Sequence, residues 1–201
     1  KMGIKYISDQ SILNNIKYST HAQVINEHPN FKFSAAMDIS QEAASYCADK
    51  FNIKNSETDL KNIESPESID VVILATPPKD RLKILKFFPN LKAVVVEKPL
   101  EEDFIKATEF VEYCKEFNIL TQVNLTRRSD FVIQELAHGS LKEKIGQIQC
   151  GFAVYGNGLL NYATHTIDLV RILVGEVTAV QALTKPKHFR EGPIDKDINI
   201  S

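Results

Sequence analysis

The stretch Ile69-Asp70-Val71-Val72-Ile73-Leu74-Ala75-Thr76-Pro77-Pro78 decides the fold of this chain. It opens on a nearly unbroken apolar run of strand length, the pattern of a strand buried on both faces of a parallel sheet. The two prolines end the run, because proline fixes φ and has no N–H to give to a ladder. Upstream, Phe31–Met37 reads as a strand, followed by a helix over 41–50 with Ser40 as its N-cap. Downstream come a helix over 79–88, a buried strand Ala93–Val96, a helix over 102–117 and a strand Ile119–Val123. In the longer helix Phe104, Ala107, Val111 and Cys114 recur at helical spacing. Strands alternating with helices of this size predict βαβ units and a parallel sheet, with ligands at the carboxyl ends of the strands.

Past residue 125 the pattern changes. A helix over 127–138 ends at His138-Gly139, where glycine suits a C-terminal cap. A strand over 145–154, a glycine-rich turn Tyr155–Gly158, an apolar helix over 163–174 and a strand over 177–183 follow. The polar tail 185–197 reads as a loop, and Ile198–Ser201 as a strand just starting. The predicted class is α/β. A Rossmann-like parallel-sheet domain spans 1–124, and part of a second α/β domain with an open mixed sheet spans 125–201, cut short as a strand begins.

Composition limits the function. Apolar residues make up 43% and charged residues 25% of the 201, as in a globular protein, and the formal charge of -2 speaks against a nucleic-acid partner. No apolar run reaches the roughly 18 residues of a membrane span, and the first residues lack the apolar core of a signal peptide. The cysteines, Cys47, Cys114 and Cys150, are odd in number and form no CxxC pair. Neither a zinc site nor a disulfide framework is expected, Cys47 and Cys114 read as buried thiols, and a cytoplasmic setting fits.

Three further stretches bear on chemistry. Ala75-Thr76-Pro77 sits where a parallel strand ends, the place where a bound dinucleotide would pass. Glu97-Lys98-Pro99 follows a second buried strand, where an unpaired ammonium is costly as mere core filling; a lysine reaching solvent beside Glu97 is the alternative. The third is Gly158-Leu159-Leu160-Asn161-Tyr162-Ala163-Thr164-His165-Thr166-Ile167-Asp168. His165 titrates near neutrality and can exchange a proton. Asp168 lies one helical turn on, where it could orient the ring or satisfy the helix start. The pair lacks a third ligand, so no metal site is expected.

Together these stretches resemble the Gfo/Idh/MocA family of dinucleotide-dependent sugar dehydrogenases, over about residues 20–185. Val96-Glu97-Lys98-Pro99-Leu100 matches the family's Glu-Lys-Pro signature, and 158–168 is similar to its Gly-x-x-x-Asp-x-x-x-His-x-x-Asp segment. The resemblance implies an oxidoreductase moving hydride between NAD(H) and a hydroxyl or carbonyl carbon of a sugar, nucleotide sugar or polyol. It implies that Lys98 contacts both the reacting hydroxyl and the cofactor, that the proline of the signature is often cis, and that His165 is the acid/base. Glu97 joins the cofactor-binding set with Ala75, Thr76 and Pro77. Relatives often pair through their second sheet, which implies a homo-oligomer.

Two departures stand out. The family's Gly-x-Gly-x-x-Gly falls on Leu13, Asn15 and Tyr18, and the preceding Ile7–Ile12 is polar for a buried first strand. Yet the acidic residue expected about 20 positions later is present as Asp38. It would bond a ribose 2′-hydroxyl and repel a 2′-phosphate, favouring NAD over NADP; equally, it could cap the next helix with Ser40. The family's Asp four residues before the histidine is Asn161 here, which can orient but carries no charge, so His165 is expected to be a weaker base than its relatives. Arg81, where relatives often have a histidine, is given no role. These departures support an alternative function, a catalytically weakened relative that binds a sugar nucleotide or serves in assembly.

Overall fold

The computed structural model describes residues 18–155 and 158–183, and the backbone of 187–188 and 196–197. By contact the chain divides into two compact units. One is built from the residues up to Val96 together with Phe104–Gln122, the other from Glu97–Asp103 together with the residues from Val123 onwards. The change of unit does not fall at a single point near residue 124, because Glu97–Asp103 groups with the later residues.

The first unit begins with α1 (His21–Glu27), where Thr20 Oγ1 accepts the N–H of Gln23 at 3.2 Å. Strand β1 is Ala36–Met37, shorter than the expected 31–37. It pairs in parallel with β2 (Ser56–Glu57), Ala36 opposite Ser56 and Met37 opposite Glu57. A strand exists only where a partner completes its ladder, and β2 offers two residues. Helix α2 (Gln41–Phe51) starts at Ser40 as expected, and Asn52 in the left-handed region ends it. Cys47 and Cys114 are buried, again as expected. Burial, then the nearby Asp38 carboxylate, pushes the Cys47 thiol above its ordinary pKa.

The stretch that decided the fold forms β3 (Val71–Leu74). It pairs in parallel with β4 (Ala93–Val96), Val71 opposite Ala93 through Leu74 opposite Val96. Strand β5 (Leu120–Val123) completes a three-stranded sheet in the order β3-β4-β5. Helices α3 (Arg81–Leu85) and α4 (Phe104–Glu116) connect these strands, α3 being shorter than the expected 79–88. The core gathers Leu74, Leu85, Val94, Val96 and Phe110, each large side chain contributing about 1.5–3 kcal/mol on burial. The apolar stripe of α4 runs through Ala107, Phe110, Val111 and Cys114, whereas Phe104 on the first turn is 84% exposed.

In the second unit the single helix expected over 127–138 is instead a series of short turns. A 3-10 turn (Thr126–Ser129) precedes α5 (Phe131–Glu135), whose N-cap Asp130 accepts the N–H of Ile133 at 3.0 Å. A π-helical turn (Leu136–Ser140) then kinks at Gly139, with φ of 121°, before α6 (Leu141–Ile145). Gly139 therefore bends the path into a further helix rather than ending it. Helix α7 (Thr164–Leu173) lies close to the expected span. The segments expected as strands over 145–154 and 177–183 have no strand among their described residues, only an isolated bridge at Ala182. Part of the tail expected as a loop forms strands instead, β6 (Lys187–His188) antiparallel to β7 (Lys196–Asp197). The start of a strand at 198–201 lies outside the described residues, as do Ile7–Ile12, Leu13 and Asn15.

Candidate functional site

In the second unit, the residues just after β4 meet the start of α7. Lys98 Nζ donates to the backbone oxygen of Asn161 at 2.8 Å and to its Oδ1 at 2.7 Å. The same ammonium lies 5.9 Å from the centre of the Tyr162 ring. Asn161 sits in a π-helical turn (Leu159–Ala163) that Gly158 opens with φ of 91°, a conformation that favours glycine. The Gly158 carbonyl accepts from the N–H groups of Tyr162 and Ala163 at 3.1 and 3.2 Å, and the Thr164 hydroxyl donates to the Asn161 carbonyl at 3.0 Å. Asn161 is thus fixed through its backbone, and both of its oxygens face one ammonium. The Lys98–Pro99 peptide is cis, as the resemblance implies.

His165 lies one turn along, on α7. Burial lowers its pKa below the ordinary 6.5, and the positive charges of Lys98 and Arg127 lower it further; Asp168 and Glu97 pull the other way. Its surroundings, a cationic amine among them, therefore favour the neutral imidazole. Glu97 is buried, and its Oε1 accepts from Asn124 Nδ2 at 2.6 Å. Asp168 is 3% exposed, and its Oδ1 accepts two bonds from Arg128, from Nε at 2.8 Å and from Nη2 at 2.6 Å. Asp168 therefore serves a side chain 40 residues away rather than the start of its own helix.

Lys98, Asn161 and His165 are thus brought together within one unit. The sequence reading missed Asn124, Arg127 and Arg128. The signal was available: these residues directly follow β5, and the carboxyl-end rule that singled out Thr76 after β3 and Lys98 after β4 applies equally there.

In the first unit, Asp38 and Thr76 follow β1 and β3. Asp38 Oδ1 accepts the N–H of Ser40 at 2.9 Å, so the capping role is present. The Thr76 hydroxyl is buried and has no hydrogen-bond partner among the described residues, and a buried hydroxyl left unpaired costs about 1–3 kcal/mol. An orphaned polar atom at a strand's carboxyl end fits a site completed by a polar ligand. Arg81, almost fully buried, donates from Nη2 to the Thr76 carbonyl and so braces the strand-ending turn. Tyr18, the last of the three positions where glycine was expected, is 37% exposed.

The model of the oxidoreductase family with an NAD-binding Rossmann fold, GFO_IDH_MocA, matches residues 13–125. The chain belongs to the Gfo/Idh/MocA oxidoreductase family. This Gfo/Idh/MocA protein is 27% identical over 177 residues to 4-carboxy-2-hydroxymuconate-6-semialdehyde dehydrogenase of Sphingobium sp., covering 79% of the chain and 56% of the relative. It is 24% identical over 209 residues to scyllo-inositol 2-dehydrogenase (NAD(+)) of Bacillus subtilis, covering 92% of the chain and 60% of that relative. The crystal structure of scyllo-inositol dehydrogenase from Lactobacillus casei with bound NAD(H) and scyllo-inositol superposes with a TM-score of 0.66 at 19% identity, covering 82% of this chain and 56% of that one. At that identity the likeness is one of fold. This Gfo/Idh/MocA chain thus spans little more than half the length of the curated relatives it matches. Among its described residues no helix is long and apolar enough to cross a membrane.

Proposed function

We propose that this protein is an NAD(H)-dependent dehydrogenase acting on a hydroxyl-bearing carbon of a sugar, nucleotide sugar or polyol. The reading rests on one observation: a fixed ammonium, Lys98 on Asn161, shares its surroundings with a neutral imidazole, His165. Oxidising an alcohol by hydride transfer is helped by a cationic donor at the oxygen and a base for its proton. Lys98 would donate to the substrate oxygen, and a ring nitrogen of His165 would accept the hydroxyl proton as the carbonyl forms. The dinucleotide, when bound, supplies the acceptor for the hydride. Asn161 would set the direction of the Lys98 amine.

On the first unit, Asp38, Ala75, Thr76 and Pro77 are the residues proposed to hold NAD. One oxygen of Asp38 serves Ser40, and its charge would still repel a 2′-phosphate, which favours NAD over NADP. Glu97 and Lys98 are likewise proposed to contact the dinucleotide. Association into a homo-oligomer is proposed with it.

The test is calorimetric titration of NAD(H) into the complete protein, followed by turnover on a panel of sugars and polyols. Binding, together with turnover that Lys98→Ala removes, is the expected result. No binding at millimolar dinucleotide would end the reading. A second reading, a weakened relative that binds a sugar nucleotide or serves in assembly, is favoured by the neutral Asn161 in contact with Lys98. Binding of a sugar nucleotide without turnover of any alcohol would establish it instead.

A further inference from the structure

The Arg128–Asp168 pair takes no part in the proposed hydride transfer, and its geometry is lopsided. Both guanidinium bonds go to Oδ1, at 2.8 and 2.6 Å. Oδ2 is buried with no hydrogen-bond partner among the described residues. A buried carboxylate saturated on one oxygen and empty on the other has room for one more donor. Three residues back on the same helix, and so neighbouring on its surface, is His165.

We propose that Asp168, anchored by Arg128, is a positioning residue for His165: when the ring takes a proton, the unfilled Oδ2 accepts an imidazole N–H and the carboxylate charge stabilises the protonated ring. This rests on the proposed role of His165 as the base. Among the described residues, the charged groups around the imidazole are Lys98 and Glu97 from the segment after β4, Arg127 from the turn after β5, and Asp168 from α7 itself. Lys98 and Arg127 oppose protonation. Asn161, neutral and in contact with Lys98, supplies no counter-charge. Asp168 and Glu97 are the carboxylates that favour the protonated ring, and Glu97 is engaged by Asn124. Asp168 therefore supplies, one turn beyond the histidine, the negative charge missing one turn before it. Arg128 fixes the carboxylate through a single oxygen and leaves the other without a hydrogen-bond partner among the described residues.

The test is an NMR titration of His165 in the complete protein labelled with 15N-histidine. Asp168→Asn keeps the shape and removes the charge, and is expected to move the His165 midpoint to lower pH by roughly one pH unit. Arg128→Lys, which can still donate to Oδ1, should leave the midpoint near the parent value. An unchanged midpoint in folded Asp168→Asn overturns the proposal. Should that variant fail to fold, the parent protein decides the matter. A slowly exchanging, downfield imidazole N–H of His165 at low pH supports the carboxylate bond, and a rapidly exchanging one refutes it. These readouts need no turnover, so their failure is separable from failure of the dehydrogenase reading, which is tested by activity of the parent and of His165→Ala.

Discussion

At the scale of single residues, the proposed chemistry rests on two side chains in contrasting surroundings. The Lys98 amine is held at 2.7 and 2.8 Å by two oxygens of one asparagine, while burial and positive neighbours keep His165 neutral. Lys98→Ala and His165→Ala should each lower kcat by about 10²–10⁴-fold, the range for loss of a positioned proton-transfer or polarising group, read by steady-state kinetics on any substrate found. Asn161→Asp converts the contact with Lys98 into an ion pair and adds a carboxylate near the imidazole. It is expected to raise activity and to move the acid limb of the pH–rate profile to higher pH. A fall in kcat at every pH would show that the amide suits a different reaction. The candidates Lys98, Asn161 and His165 were legible through the resemblance of residues 96–100 and 158–168 to the family's motifs, and the fold seats the first on the second. The partners Arg128 and Asn124 carried only the weaker signal of following β5, and which acid each would serve shows only once the fold brings Asp168 to one and Glu97 to the other.

At the scale of elements, buried strands were the easiest to read. Val71–Leu74 and Ala93–Val96 are apolar enough to need cover on both faces, and both are strands in register. The pairing of β1 with Ser56–Glu57 was invisible, because two polar residues carry no periodicity. The broken helix after residue 125 was misread for a related reason: a continuous pattern does not record where the path bends. Asp130 restarts the helix there and Gly139 kinks it. Asp130→Ala removes the bond to the Ile133 N–H, and about 1 kcal/mol of stability should be lost in chemical denaturation. The segments 145–154 and 177–183 look like strands by composition, but alternation alone cannot supply a partner. Their apolar side chains are left in solvent, Phe152 at 93% and Val154 at 80%.

At the scale of the whole molecule, pH acts on stability through His165. Its pKa is below 6.5 in the folded protein, so the unfolded chain binds more protons as pH falls through that value. The stabilising contribution is complete above about pH 6.5 and is lost as pH drops through the folded pKa. Thermal melts should therefore show a Tm that declines from pH 7.5 to 5.5, with the decline reduced in His165→Gln. Exposed Phe152, Val154 and Val180 form apolar surface of the kind that seeks cover. Light scattering should show concentration-dependent association that Phe152→Ser with Val154→Thr diminishes. The path of the backbone carries a last consequence, because it enters the second compact unit at Glu97, leaves it after Asp103 and returns at Val123. Neither half can be excised with one cut. A fragment ending at 124 would keep Lys98 but lose Asn161, stranding the ammonium without its cradle, and the remainder would keep the cradle with nothing to hold.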